Sequence, residues 1–167
     1  MLLTWLLVVF PALMAYAAAS DLLTMTIPNK LSLALVAGFV VLALIGGLPV
    51  QAIMLHAGAG AVVLAGSFTL FACGWIGGGD AKLAAATGLW LGFGALPEYL
   101  FLSSICGGVL TLVIMAVRCA PVPGFALGWQ WLERIRTARA VPYGIALATS
   151  ALVVYPHCEI WAAALAR

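Results

Sequence analysis

Apolar runs of bilayer-crossing length follow one another along nearly the whole chain, near residues 2–19, 31–49, 52–75, 82–97, 98–117 and 143–165. A helix needs about 20 apolar residues to cross the hydrocarbon core, so these runs read as six transmembrane helices. Only 7% of the residues are charged and 66% are apolar, whereas a soluble domain carries about 25% charged residues. Such a chain cannot cover a water-facing surface, and the bilayer is its first partner. The expected fold is all-α, a polytopic membrane protein of one domain (1–167), without linker or internal repeat. The fourth run is short and meets the fifth at Pro97 and Glu98. Pro156 is expected to kink the sixth, because its ring removes a helix hydrogen bond.

The first run ends in Ala17-Ala18-Ala19-Ser20, which resembles a signal-peptide cleavage site. No Lys or Arg precedes it, however, and it is longer than a signal core, so it reads as a span. A net charge of +2 gives no reason to expect a nucleic-acid partner. The cysteines (Cys73, Cys106, Cys119, Cys158) form no C-x-x-C pair and read as lone buried thiols rather than as a metal or disulfide framework.

Basic residues orient the spans. With six alternating crossings, Lys30, Lys82, Arg118, Arg134, Arg136 and Arg139 fall on one side and Arg167 on the other. Short basic loops stay in the cytoplasm, so both termini are expected outside. Within the 118–142 connection, Trp131, Leu132 and Ile135 share one helical face and turn Glu133, Arg134 and Thr137 away, as in a helix lying on the inner leaflet.

Ionisable groups at a span are costly and are functional suspects. The acidic residues are Asp21, Asp80, Glu98, Glu133 and Glu159. Glu98 suits a helix start, where the dipole favours an anion. Glu133 suits an ion pair among the arginines, and Glu159 has no evident partner. Asp21 and Asp80 differ, because both stand at cytoplasmic ends of spans and so at one membrane depth. Two carboxylates held close share a proton. One can then activate water while the other donates to a carbonyl oxygen, which is what hydrolysis of a peptide bond without a metal, a cofactor or a covalent intermediate requires. Two water-satisfied helix ends would give the same topology.

Local sequence favours the catalytic reading. Gly77-Gly78-Gly79 precede Asp80 and remove the side chains that would keep another backbone away. Asp80, Ala84, Gly88 and Gly92 recur every fourth residue, a small-residue face for close helix packing, and Ala57, Ala61 and Ala65 offer the same in the third span. Asp80 opens a helix, where the dipole favours the anion, which favours it over Asp21 as the ionised partner while the base and acid roles stay open. After Asp21, Pro28 pushes Ile27 toward an extended conformation, and Asn29 suits a turn or cap.

Together these stretches closely resemble the type IV prepilin peptidases. The resemblance rests on Asp21 followed by Ile27-Pro28-Asn29, on Gly77-Gly78-Gly79-Asp80 with Lys82, and on Val141-Pro142-Tyr143-Gly144 at the last span. It implies that Asp21 and Asp80 are a catalytic pair facing the cytoplasm of a bacterial inner membrane. The implied substrates are prepilins or pseudopilins, cut after a glycine that follows a basic leader and then passed to the pilus assembly machinery. Gly77, Gly78, Gly79, Lys82, Pro28 and Asn29 would shape the site, and Lys30 and Lys82 would hold acidic groups near it. Larger members also methylate the new N-terminus and carry paired C-x-x-C motifs. With neither motif here, the chain looks like the short, peptidase-only form associated with Flp or tight-adherence pili.

Other chemistries fit less well. No H-E-x-x-H is present for zinc, and His56 and His157 read as interfacial residues of the outer side. The main rival is a small transporter using Asp21 and Asp80 for ions or protons, but such a site belongs nearer the bilayer midplane.

Overall fold

The computed structural model describes residues 2–120, 129–138 and 140–165. In chain order its helices are α1 (Leu2–Thr24), α2 (Asn29–Ile45), α3 (Val50–Ala72), α4 (Gly78–Cys119), α5 (Gln130–Thr137), α6 (Gly144–Val154) and α7 (Glu159–Leu165). Among the described residues the chain is all-helical. Helices α1, α3 and α4 are long and apolar enough to cross a membrane, and two shorter apolar stretches lie at 29–45 and 144–157. Helix α4 is broken at Gly92 (φ 67°, ψ 178°). Asp80 and Ala84 before the break share a cleft with Leu100 and Ser104 after it, so the two halves run back to back. The six expected apolar segments are thus present in a polytopic membrane protein.

The reversal falls at Gly92 and not at the expected Pro97–Glu98 boundary. A positive φ suits a residue without Cβ, and the space a Cβ would fill is taken by the His56 ring, 2.7 Å away. His56 is therefore not interfacial. It is buried, its Nδ1 bonds the Leu89 carbonyl at 2.9 Å, and its ring meets Phe39. His157 stays exposed, in the short 3-10 turn Tyr155–His157 by which Pro156 ends α6.

Burial within a bilayer gains little from the hydrophobic effect, so helices associate by close packing and polar contacts. Both are visible at the end of the bundle away from the aspartates. Phe10, Phe39, Trp90 and Tyr155 form a tilted and edge-on aromatic cluster. Trp90 packs on Gly38 and donates its indole N–H to the Leu35 carbonyl at 2.8 Å. Between α3 and α4 the contact runs through Gly60, Val63 and Ser67 of α3. A Cβ on Gly60 would stand 3.2 Å from the Ala85 carbonyl, and one on Gly88 would stand 3.0 Å from Val63. Ala57, Ala61 and Ala65, expected to form this face, are exposed; helical twist places the buried row one position away.

Helix α5 turns Ile135 inward and leaves Trp131 and Glu133 exposed. Glu133 is not what occupies the arginines. Arg118 donates to the carbonyls of Ile135 and Ala140, Arg136 to those of Val117 and Ala120, and Arg134 to that of Leu23. Three guanidinium groups thereby tie α5 to the ends of α1 and α4, satisfying helix-end carbonyls that lack intrahelical partners. Arg139 and Arg167 lie outside the described residues. Of the cysteines only Cys158 is buried; Cys73 and Cys119 are exposed and all four are free.

Candidate active site

Asp21 sits in the last turn of α1 and is 5% exposed. Its Oδ2 accepts a 2.7 Å hydrogen bond from the main-chain N–H of Gly144, the first residue of α6. First-turn N–H groups have no intrahelical partner and the dipole there favours an anion, so the start of α6 is a natural seat for this carboxylate. The fit is tight, because a Cβ on Gly144 would stand 2.7 Å from Oδ2 and 2.8 Å from Ile27 Cδ1.

The chain leaves α1 through Met25, a non-glycine residue in the left-handed region (φ 55°). Its N–H reaches the Asp21 carbonyl at 2.9 Å, while the hydroxyls of Ser20 and Thr24 donate to the Thr26 carbonyl. A left-handed L-residue costs about 1–2 kcal/mol, and that cost is met here beside a candidate catalytic group. The sharp turn carries Ile27 back beneath Asp21.

Asp80 is the third residue of α4 and is partly buried. Each preceding glycine faces a different neighbour. A Cβ on Gly77 would stand 2.9 Å from Asp80 Oδ2, one on Gly78 would stand 3.2 Å from the Phe71 ring, and one on Gly79 would stand 3.1 Å from Ile27 Cβ. Ile27 therefore wedges between Gly79 and Gly144, so that three separated sequence stretches meet on one side chain.

Both aspartates line the same spaces. A pocket of about 260 Å³ is bounded by Asp21, Asp80, Met25, Ile27 and Gly77–Gly79. A wider cavity of about 770 Å³ joins Asp21 and Asp80 to Trp75, Thr111, Pro142 and Tyr143. Among the described residues no group of three His, Cys, Asp or Glu side chains is placed to hold a metal ion.

Of the residues expected to shape the site, Gly77, Gly78 and Gly79 line it. Pro28 precedes α2 with an extended backbone (φ −62°, ψ 136°). Asn29 makes no side-chain cap; its Oδ1 accepts a 2.8 Å hydrogen bond from Lys82 Nζ. Lys82 thus braces α2 against α4 and does not hold a carboxylate, and Lys30 is exposed. Tyr143 and Gly144 were legible only as parts of a motif, with no role evident. Gly107 gave no signal at all. The Tyr143 ring lies where a Cβ on Gly107 would be, and its hydroxyl donates to the Ser103 carbonyl at 3.1 Å.

Residues 8–112 match the type IV leader peptidase family, a span that includes both aspartates and the glycine triplet. The chain belongs to this family. Similar proteins include the prepilin leader peptidase/N-methyltransferase of Aeromonas salmonicida (strain A449), 36% identical over 123 residues, 71% of this chain and 40% of that protein. That of Aeromonas hydrophila is 35% identical over 123 residues, with the same coverage. A shorter match, 47% over 53 residues, joins 32% of this chain to 18% of the Neisseria gonorrhoeae protein. The matched stretch spans about 40% of the length of the Aeromonas relatives. No solved structure matches the chain.

Proposed function

We propose that this protein is an intramembrane aspartic endopeptidase that removes the basic leader from prepilins at the cytoplasmic face of a bacterial inner membrane. The observation that carries the reading is the convergence of Asp21 and Asp80 on one cavity, each held by its own motif. One carboxylate takes a proton from water as that water attacks the scissile carbonyl, and the other donates a proton to the carbonyl oxygen. Collapse of the tetrahedral intermediate sends a proton to the leaving amine and regenerates the shared-proton pair. Asp21 accepts a main-chain hydrogen bond from Gly144, and because both carboxylates share one cavity the proton is assigned to the pair rather than to one member. Basic residues at the aspartate end support a cytoplasmic site with the termini outside.

The test is leader removal from a co-expressed prepilin by wild type, Asp21→Asn and Asp80→Asn, with membrane levels of each variant measured. Loss of cleavage in both variants at normal levels is expected. Cleavage surviving either change would sink the paired mechanism and turn attention to ion flux. In line with its resemblance to the short members of the family, we propose a peptidase-only enzyme of the tight-adherence type, feeding processed pilin to the assembly machinery. Intact mass of the product checks this, with an unmethylated N-terminus expected.

A further inference from the structure

A groove on the outside of the bundle takes no part in the site described above. It has a volume of about 390 Å³, lies between α2, α3 and the first half of α4, and reaches neither aspartate. Its deeper side is made of small residues, Gly60 of α3 with Ala85 and Ala86 of α4. Larger exposed ones, Leu33 and Val36 of α2 and Leu64 of α3, stand along its edges. Ala57 and Ala61, which in sequence looked like a helix-packing face, are exposed and line this trough instead. In a membrane-spanning chain an exposed apolar trough faces lipid.

One end of the groove is charged. Lys82, near the start of α4, lines it, and Ser32 adds a hydroxyl from α2. Lys82 Nζ donates to Asn29 Oδ1 at 2.8 Å. That acceptor is neutral and an ammonium has three N–H donors, so the bond leaves the charge unbalanced and two donors over. Lys30, exposed, is the next residue after Asn29. Lysines at the ends of spans reach to the headgroup level, and basic pockets between membrane helices on the cytoplasmic side suit anionic headgroups. A second protein helix would cover the trough and give the ammonium nothing. A free phosphate would meet the ammonium and not the trough.

We infer that this groove is a binding site for one anionic phospholipid of the inner leaflet, with its phosphate at Lys82 and an acyl chain along Ala57, Ala61 and Ala85. The lipid would sit against α2, α3 and α4 at once, on the opposite side of α3 from the cleft that reaches Asp80.

Native mass spectrometry of the purified full chain, titrated with phosphatidylglycerol or phosphatidylcholine, tests the site. Wild type should hold one phosphatidylglycerol about fivefold more tightly than phosphatidylcholine, the attraction of one lysine at a membrane surface. Lys82→Met should abolish that preference and keep phosphatidylcholine binding. Ala61→Phe, which fills the trough, should weaken both lipids about tenfold. Gly108→Phe, where a Cβ meets nothing within 4 Å and which is not among the groove residues, should match wild type. A second measurement leaves the groove's charge and its small residues intact. In vesicles of equal phosphatidylglycerol and phosphatidylcholine, a photo-crosslinking residue at Leu33 should capture phosphatidylglycerol in excess. One at Leu112, exposed and outside the groove, should capture the two lipids in equal amounts. Equal affinity of wild type for both lipids, wild-type binding by Ala61→Phe, or capture of a second copy of the chain from Leu33 would each overturn the site. Neither measurement uses a prepilin, so the outcome stands apart from the peptidase reading.

Discussion

Asp21 and Asp80 serve one cavity but are held in opposite ways. Asp21 is nearly fully buried, pinned by the Gly144 N–H and enclosed by Ile27 and Gly144. Asp80 is partly buried, stands at a helix start behind three glycines, and lines both the shared cavity and the cleft between α3 and the second half of α4. The first is a fixed reference and the second is presented to whatever enters. For the proposed peptidase both properties are useful, because positioning supplies rate and an open approach supplies access.

The largest effect should come from breaking the pair. Asp21→Asn and Asp80→Asn should each lower prepilin cleavage by about 10²–10⁴-fold, the usual worth of general acid–base groups. The double variant should fall little further, since residues acting as a unit are not additive. Additive losses in single-turnover cleavage would mean that the two carboxylates work separately.

Next comes the difference in how they are held. Gly144→Ala forces a Cβ against the anchored Asp21 and should cost about 10²-fold in cleavage, as displacements near 1 Å do. Gly77→Ala places a Cβ 2.9 Å from Asp80 Oδ2, but that carboxylate has open space to turn into, so a smaller loss is expected. Equal losses would erase the distinction between the two aspartates.

Gly92→Ala tests the far end of the bundle. It demands a positive φ of a residue with Cβ and collides with His56. A backbone penalty of about 1–3 kcal/mol should appear as a lower unfolding temperature in detergent, with the cleavage rate of the folded fraction unchanged. A rate that falls with Gly92→Ala while unfolding stays put would couple the reversal to the site.

The smallest effect belongs to the brace outside the cavity. Asn29→Ala or Lys82→Met removes one hydrogen bond worth about 1 kcal/mol, so cleavage should drop by less than about tenfold. The double variant should match either single one, which a double-mutant cycle reads directly. A near-complete loss from Lys82→Met would place that ammonium at the reacting groups instead of on Asn29.

Six apolar segments, the helical class and the pair Asp21 and Asp80 could be read from sequence because each is a local property. Span length is set by bilayer thickness, and a carboxylate at a span is conspicuous by cost alone. The Ile27-Pro28-Asn29 stretch was visible for its proline, but not for the wedge that Ile27 makes or the acceptor that Asn29 offers. The reversal at Gly92 was misplaced to Pro97 because proline is a visible breaker, whereas a glycine's φ depends on what packs over it, here His56. His56 itself looked interfacial and proved to be core for the same reason.

By itself, then, the sequence determined the helical membrane-protein class, its apolar segments and the two aspartates at their ends. These follow from hydropathy and charge, which are summed along the chain. Only the tertiary structure decided that the α6 N-terminus holds Asp21, that Gly107 makes room for Tyr143, and that a cleft between α3 and α4 runs to Asp80. Those depend on which surfaces of distant helices come within a few ångströms of each other, and no single stretch of sequence carries that information.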